Sequence, residues 1–278
     1  MLIDTHAHLN FSSYKEDLDE VIKKTLAENV WVINVGTKYE TSRRAVEIAE
    51  QYSQGVYAAI GLHPVHATPG LIKTKTDPEE GNFTTNGEDF DIEKYRELAK
   101  LKKVVAIGEI GLDYYYRPKT KTKIESFKNK QKEVFIKQLE SAKELNLPVI
   151  LHCRMAHEEL VEILNYKLST TNYKLKGVIH CFTGTWEQAK KYIDMGFYIG
   201  FNGIIFKLDL DEIIKKTPLE KILVETDCPY LTPPEAGVGR NEPIFVKYII
   251  KKIAEIKDIS YEKVVEITTR NAKDLFKI

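Results

Sequence analysis

Short apolar runs alternate along the chain with longer segments in which apolar residues recur at helical spacing. The runs are mostly apolar at consecutive positions, which is typical of strands buried on both faces. After the first run, Leu18, Val21, Ile22 and Leu26 share one helical face, because they stand at i, i+3, i+4 and i+8. The pattern predicts strands at Leu2–Asp4, Val30–Val35, Val56–Leu62, Val104–Ile107, Pro148–Leu151, Gly177–Ile179, Phe197–Phe201 and Ile222–Val224.

Strands that alternate with helices in this way indicate a parallel sheet joined by right-handed crossovers. A barrel of eight such units usually takes ~250 residues, and this chain has 278. The predicted fold is therefore α/β, a TIM-type (β/α)8 barrel, with an open doubly wound sheet as the alternative. Two further helices, near Pro243–Ile256 and Tyr261–Phe276, have no strand after them.

One polar stretch interrupts the pattern at about residues 67–90. It is rich in Thr, Gly, Lys, Asp and Glu and has no apolar period, which is typical of a long surface loop. The alternation of strands and helices resumes after it, so the stretch does not indicate a domain boundary. We expect a single domain over residues 1–278 that carries this loop as an insertion.

Composition and charge disfavour several classes of protein. Lys and Arg total 41 and Asp and Glu total 41, which disfavours a protein that coats nucleic acid or anionic membrane by bulk charge. Three cysteines without a C-x-x-C pair indicate a reducing compartment rather than a disulfide scaffold. Neither a leader segment nor a membrane-length apolar run is found, so we expect a cytoplasmic or nuclear protein. Nucleotide cofactors are disfavoured because G-x-G-x-x-G and Walker A motifs are missing.

Imidazole and carboxylate side chains stand at the ends of several predicted strands. His6 and His8 end the first strand, and their spacing of two puts them on one side of an extended chain. The others are Glu109 at the fourth strand, His152 at the fifth, His180 at the sixth and Asp227 at the eighth. The carboxyl ends of barrel strands meet at one mouth, so these side chains would share a small volume.

A lone histidine at a strand end is usually a hydrogen-bonded turn residue, but six such side chains at one mouth favour a metal cluster. Six ligands exceed the four of a structural zinc site and fit two cations ~3.5–4 Å apart with a shared carboxylate. Mixed nitrogen and oxygen ligands suit Zn²⁺, Mn²⁺ or iron better than Mg²⁺. Because paired cations polarise phosphoryl or carbonyl oxygens, the predicted reaction is a hydrolysis.

Seven segments carry a resemblance to a known family. They are Ile3–Leu9, Gly61–Pro64, Gly108–Tyr114, Pro148–Arg154, His180–Gly184, Glu225–Leu231 and Arg240–Pro243. In this order, over almost the whole chain, they resemble the TatD family of metal-dependent deoxyribonucleases, which are amidohydrolase-like barrels. The His-x-His pair occurs in other barrels of that group, whereas Gly-Glu-Ile-Gly-Leu-Asp and Glu-Thr-Asp-x-Pro separate the TatD family from them.

The resemblance implies a site for two divalent cations, which could be Mg²⁺, Mn²⁺ or Zn²⁺. His6, His8, Glu109 and Asp227 would hold one cation, and Glu109, His152 and His180 the other, with Glu109 shared. The implied activity is hydrolysis of DNA phosphodiester bonds by a 3′-to-5′ exonuclease. The expected partner is DNA, as single strands or 3′ ends, with RNA as an alternative. No membrane and no obligate protein partner is expected.

The proposed roles follow from the chemistry of each side chain. Asp227 and the shared ligand Glu109 are the predicted catalytic residues, with Asp227 orienting or deprotonating the attacking water. His63, Arg154 and Arg240 are predicted to hold phosphate oxygens. The alternative function is an ester or amide hydrolase of the deacylase type on the same metals. A metal-binding barrel without turnover is disfavoured because every ligand position is filled.

Residues next to the predicted ligands have their own interpretations. Cys153, Cys181 and Cys228 each follow a ligand, and strand alternation predicts buried thiols that point away from the mouth. Glu225 is predicted to support Asp227. Tyrosines 114–116 would stack on unpaired bases or pack against the next helix, and both alternatives stay open. The lysine-rich segment 119–132 is interpreted as a solvated helix face.

Overall fold

Eight parallel strands form one sheet whose order follows the chain. The computed structural model describes residues 1–68, 87–115, 117–170 and 175–278. The strands are β1 (Leu2–Ala7), β2 (Val30–Val35), β3 (Val56–Ile60), β4 (Val104–Asp113), β5 (Val149–Arg154), β6 (Gly177–Ile179), β7 (Tyr198–Phe201) and β8 (Ile222–Val224).

The sheet closes because the chain returns from β8 to β1. Ala7 and Cys228 form a parallel bridge. The backbone N–H of Asp227 donates to the carbonyl of His6 at 2.8 Å, and the Thr5 hydroxyl donates to the carbonyl of Val224 at 3.1 Å. These contacts complete a TIM-type (β/α)8 barrel, so the predicted fold is confirmed and the open-sheet alternative is wrong.

Helices surround the barrel. Within the described residues they are α1 (Leu18–Ala27), α2 (Tyr39–Glu50), α3 (Ile92–Ala99), α4 (Lys121–Leu145), α5 (His157–Thr170), α6 (Trp186–Asp194), α7 (Asp211–Lys216), α8 (Val246–Lys257) and α9 (Tyr261–Phe276). Short 3-10 helices cover Ser12–Tyr14, Pro64–Ala67, Gly203–Phe206, Leu219–Lys221, Pro234–Ala236 and Pro243–Phe245. None of the helices in the described part of the chain is both long enough and apolar enough to cross a bilayer.

Alternation along the strands divides the core into an inner and an outer layer. On β2, Ile33 and Val35 belong to the inner apolar cluster, whereas Val30 and Val32 pack in the outer cluster with the helices. The other strands add Ile3, Ala59, Val105, Ala106, Ile150, Val178 and Leu223 to the inner cluster. Both faces of each strand are thus buried, which explains the runs of consecutive apolar residues.

The last helix, α9, covers the amino-terminal end of the barrel. Leu275 and Phe276 join the inner cluster. The Asn271 amide donates to the carbonyl of Ile222, at the start of β8, at 2.8 Å, and the Thr269 hydroxyl donates to the carbonyl of Met1 at 3.1 Å. Helix α9 thus closes the amino-terminal end of the barrel, and the predicted site residues lie at the carboxyl end.

Several strand bounds differ from the predicted ones at their carboxyl ends. β2, β6 and β8 have the predicted bounds, but β1 continues past Asp4 to Ala7 and β4 continues past Ile107 to Asp113. The continuations carry polar residues that are buried, among them Glu109 at 3% exposure. Apolar patterning ends where the polar lining of the mouth begins, so it predicts these strands too short.

The predicted loop insertion at 67–90 falls mostly on residues 69–86, which lie outside the described part of the chain. At its far end, the backbone N–H of Glu88 donates to the carbonyl of His66 at 2.8 Å. The organisation as one domain with an insertion stays a prediction.

Candidate metal centre

The six predicted metal ligands lie together at the carboxyl end of the barrel. They stand in or just after β1 (His6 and His8), β4 (Glu109), β5 (His152), β6 (His180) and β8 (Asp227). A cavity of about 870 Å³ opens over them, within the usual size range of small-molecule sites. The structure therefore brings the sequence-predicted ligands to one place, as the convergence of barrel strands requires.

One group of donor atoms surrounds Oε2 of Glu109. His6 Nε2 and His8 Nε2 are 3.1 Å apart, and Glu109 Oε2 lies 3.5 Å from the first and 3.7 Å from the second. Asp227 Oδ1 lies 3.8 Å and 3.5 Å from the same two nitrogens. Ligands at ~2.1 Å in a tetrahedral shell are separated by about 3.4 Å. His6, His8 and Asp227 therefore each place one donor atom close enough to the others to hold a small divalent cation, and Glu109 Oε2 lies beside the two imidazoles.

A second group surrounds the other oxygen of the same carboxylate. Glu109 Oε1 lies 2.7 Å from His152 Nδ1, 3.2 Å from His180 Nε2 and 3.5 Å from His63 Nε2. Imidazole and carboxylate donors of this kind suit a second divalent cation. The two oxygens of Glu109 thus face different imidazole nitrogens, and its sharing between two cations stays a prediction.

Hydrogen bonds on the far side of two imidazoles fix which nitrogen faces the centre. His8 Nδ1 donates to the carbonyl of Val35 at 2.9 Å, and His180 Nδ1 donates to Glu225 Oε1 at 3.0 Å. In each ring Nε2 is then the nitrogen that faces the carboxylates, and a divalent cation bound there would take the place of any proton on that atom. Partners of this kind orient metal-binding histidines and make them better ligands.

Asp4 ties together the two backbone segments that carry His6 and Asp227. Its buried carboxylate accepts the N–H of Thr226 at 2.9 Å and the N–H of His6 at 3.2 Å. Thr226 directly precedes Asp227, whose backbone is left-handed with φ 57°. Asp4 thus holds ligands from the first and last strands in register.

The charges of the site balance one another within a buried volume. Burial opposes ionisation of Glu109, but neighbouring imidazoles, among them His180 and His152, outweigh it and hold the pKa of Glu109 well below its usual range. Burial likewise opposes protonation of His180, but Glu225 and Glu109 raise its pKa well above the ordinary value. Imidazolium groups therefore supply the positive charge that the carboxylates need, and divalent cations could supply it in their place.

His63 lies beside Glu109, and its hydrogen bonds leave an N–H group that faces the cluster. Its Nδ1 accepts the backbone N–H of Val65 at 3.2 Å, so its proton is on Nε2, which faces Glu109 Oε1. Burial lowers the pKa of His63 to about 3, which keeps the ring neutral at pH 7. A neutral N–H donor is suited to a phosphate oxygen, and the contact of His63 with phosphate stays a prediction.

The two predicted arginines have different surroundings. Arg154 ends β5 and lines the cavity. Arg240 is not among the cavity residues in the described part of the chain. Its guanidinium pairs with Asp17 at 2.9 Å and donates to the carbonyl of Ser13 at 2.7 Å. It therefore joins the loop after β8 to the turn before α1, and its contact with phosphate stays a prediction.

Two interpretations of neighbouring residues are wrong. Cys153 and Cys228 are buried as expected, but Cys181 is only partly buried and its Sγ lies close to donor atoms of His180 and Asp227. β6 already ends at Ile179, and Cys181 follows in a turn with φ 45°, so strand alternation does not apply to it. Glu225 accepts from His180 and from the N–H of Cys181 at 2.7 Å, so it supports His180 rather than Asp227.

Sequence reasoning missed the contribution of Asp113. Its Oδ2 lies 3.2 Å from His152 Nε2, and with His63 and His152 it forms another set of close donor atoms. Burial opposes ionisation of Asp113, but His152 outweighs it and lowers its pKa. The spacing of four from Glu109 within one strand was the available signal, because such residues share a face.

The tyrosines after β4 are divided between packing and the cavity. Tyr114 is buried, and its hydroxyl donates to Glu159 at 3.0 Å. Lys128 and Lys132 of the lysine-rich segment also pair with Glu159. Tyr115 is half exposed on the cavity, whereas Tyr116 lies outside the described residues.

Comparisons with known proteins show which family the chain belongs to. A family model described as TatD related DNase matches residues 3–277. The uncharacterized metal-dependent hydrolase YabD of Bacillus subtilis is 42% identical, over 100% of both chains. The 3′-5′ ssDNA/RNA exonuclease TatD of Escherichia coli K12 is 33% identical, over 100% of this chain and 99% of its own.

A solved structure extends the agreement to three dimensions. The TatD homolog YjjV of Escherichia coli K12 superposes with a TM-score of 0.81 at 28% identity, covering 100% of this chain and 98% of that one. The family model and the full-length relatives lead to the same assignment. The chain belongs to the TatD-related DNase family of metal-dependent hydrolases.

Proposed function

We propose that this protein is a phosphodiesterase that uses two divalent cations to remove nucleotides from the 3′ end of single-stranded DNA or RNA. The observation that carries the proposal is the placement of the Glu109 carboxylate, with each oxygen facing its own group of donors. A pair of cations that share a carboxylate is a common arrangement for in-line displacement at phosphorus.

Two features of the cavity favour a phosphodiester over a neutral ester or amide. Arg154 lines the cavity and can bind phosphate oxygens through two N–H groups at once. His63 adds a neutral N–H donor beside Glu109. The full-length relative that is named a 3′-5′ ssDNA/RNA exonuclease supports nucleic acid as the substrate.

In the proposed mechanism, cations in this centre would polarise a phosphoryl oxygen and lower the pKa of a water molecule. Glu109 holds the two ligand groups at a fixed separation. Asp227 orients the attacking water and accepts its proton on the carboxylate oxygen that does not face His6 and His8, because neighbouring imidazoles outweigh burial and keep its pKa low. As the water oxygen bonds to phosphorus, the bond to the departing 3′ oxygen breaks, and that oxygen takes up the proton. Arg154 and His63 hold the non-bridging oxygens, so that the scissile bond lies in line with the water.

The test is cleavage of a 5′-labelled single-stranded DNA oligonucleotide with Mg²⁺, Mn²⁺ or Zn²⁺, beside the RNA of the same sequence. Removal of nucleotides from the 3′ end shortens the labelled strand stepwise and produces a ladder. We expect this ladder with at least one cation and its loss when a chelator is added. A phosphorothioate at the last 3′ linkage should block the ladder, which controls for contaminating endonuclease.

Release of a labelled mononucleotide as the first product would contradict the 3′ polarity. Failure to cleave DNA or RNA with any of the three cations, by protein shown to bind them, would contradict the proposal. Hydrolysis of an acyl ester by that same protein would then favour the deacylase-type alternative.

A further inference from the structure

Exposed apolar side chains are concentrated around the cavity. Seven large apolar side chains among the described residues are more than a third exposed. Three of them line this one cavity, namely Tyr115 at 50%, Met155 at 64% and Leu208 at 45% exposure. Apolar side chains scattered singly on a surface are ordinary, but a group around one cavity indicates a binding surface.

Tyr115 is held firmly beside the candidate metal centre. Its backbone N–H donates to Asp113 Oδ1 at 2.9 Å, and the other oxygen of Asp113 faces His152. Asp113 and Arg154 are paired across β4 and β5, which places the Arg154 guanidinium 3.7 Å from the centre of the Tyr115 ring. The Tyr115 ring and the Arg154 guanidinium, which can bind phosphate, therefore form a stacked pair.

The other two side chains flank this pair at the rim. Met155 directly follows Arg154 and has a left-handed backbone with φ 55°, which is unusual for a residue with a long side chain. Leu208 follows the 3-10 helix Gly203–Phe206, and its N–H donates to the carbonyl of Ile204 at 2.9 Å. The loops after β5 and β7 thus present apolar atoms to the same opening.

We propose that Tyr115, Met155 and Leu208 form a subsite that binds an unpaired nucleobase of the substrate. The inference rests on the proposed function and adds the element that selects single strands. A base offers its face to an aromatic ring only when it is not stacked within a duplex, and such stacking tolerates every base. Arg154 joins the two parts of a nucleotide, since its guanidinium stacks on Tyr115 and can bind the phosphate that follows the base.

The occupant is a nucleobase rather than an apolar protein segment, because the subsite of Tyr115, Met155 and Leu208 lies in the same cavity as the candidate metal centre. The cavity of about 870 Å³ contains both the apolar rim and the donors Glu109 and Asp227. A ligand that reaches both must combine a flat apolar group with an anionic one. A nucleotide has this combination.

The test is a thermodynamic cycle in which the Tyr115 ring is removed by mutation and the terminal bases are removed from the substrate, first separately and then together. Values of kcat/KM are measured for an oligonucleotide with natural bases and for the same strand with abasic residues at its two 3′-terminal positions. Tyr115→Ala should lower kcat/KM for the natural strand roughly tenfold or more, the size expected for one stacked base. It should leave the abasic strand nearly unchanged. Tyr115→Phe should match the wild type, because the ring and not the hydroxyl stacks.

A binding measurement keeps the proposal testable without turnover. A strand with 2-aminopurine at its 3′ terminus and a phosphorothioate at the last linkage should lose fluorescence on binding to the wild type. Tyr115→Ala should bind it with less quenching. Tyr166→Ala, which removes a tyrosine 66% exposed on α5, is the matched control and should change neither measurement.

Equal losses on natural and abasic strands would overturn the subsite while leaving the phosphodiesterase intact, since the ring would then act only by positioning Arg154. Unchanged quenching in Tyr115→Ala would overturn it as well. If the wild type cleaves neither strand, the proposed function fails, and the quenching measurement alone then decides whether the subsite exists.

Discussion

Replacement of Asp227 with Asn will lower kcat for oligonucleotide hydrolysis by a factor of about 10³ or more. General-base catalysis alone contributes about 10²–10⁴, and Asp227 Oδ1 is also one of the four donor atoms around His6 and His8. The substitution preserves shape, and Asn tolerates the left-handed backbone at φ 57° as well as Asp does. The folded barrel should therefore survive, and the loss should appear in steady-state kinetics rather than in expression or melting temperature.

Asp194→Asn is the matched control for this loss. Asp194 is exposed at the end of α6 and pairs with Lys190 at 2.6 Å, so this change should leave kcat within about twofold of the wild type, as for most surface substitutions. Activity of Asp227→Asn within tenfold of the wild type, at saturating cation, would show that Asp227 neither binds a needed cation nor accepts the proton.

Replacement of Glu109 with Gln will have the second large effect, because it removes the group that both sets of donors share. The bound cations should fall from two per chain to one or fewer, and kcat should fall by about 10³ or more, since polarisation by the cations supplies several kcal/mol. Elemental analysis after dialysis measures the first quantity, and the oligonucleotide assay measures the second.

Glu133→Gln serves as the control, because Glu133 is an exposed residue of α4 that pairs with Lys137. It should keep both cations and full activity. If Glu109→Gln also retained two cations and normal kcat, Glu109 would be no more than a hydrogen-bond partner of His152.

The features of the site could be predicted from the sequence to different extents. The eight strands and the metal-type residues were visible because buried strands are apolar on both faces, so a histidine or carboxylate at a strand end stands out. The convergence of His6 and Asp227, which are far apart along the chain, follows from barrel closure alone.

Other features depend on where each strand ends, and apolar patterning does not determine that point. β4 continues through Asp113 because its polar residues bond to one another in the mouth, as in the Asp113–His152 contact. β6 stops before Cys181, so strand alternation does not apply to that residue, and its Sγ lies close to donor atoms of His180 and Asp227 instead of pointing away from the mouth.

The surroundings of Arg240 could not be predicted for a different reason. Its partner Asp17 is 223 positions away along the chain, and no local pattern links the two. The same is true of the Arg154–Tyr115 stack, which depends on the register between β4 and β5.

The most direct test of the metal centre is anomalous diffraction from crystals grown with Mn²⁺. The account predicts two anomalous peaks ~3.5–4 Å apart, one on each side of the Glu109 carboxylate. The first should lie among His6, His8 and Asp227, and the second beside His152 and His180. A single peak, or peaks that do not contact Glu109, would contradict the shared centre on which the proposed function depends.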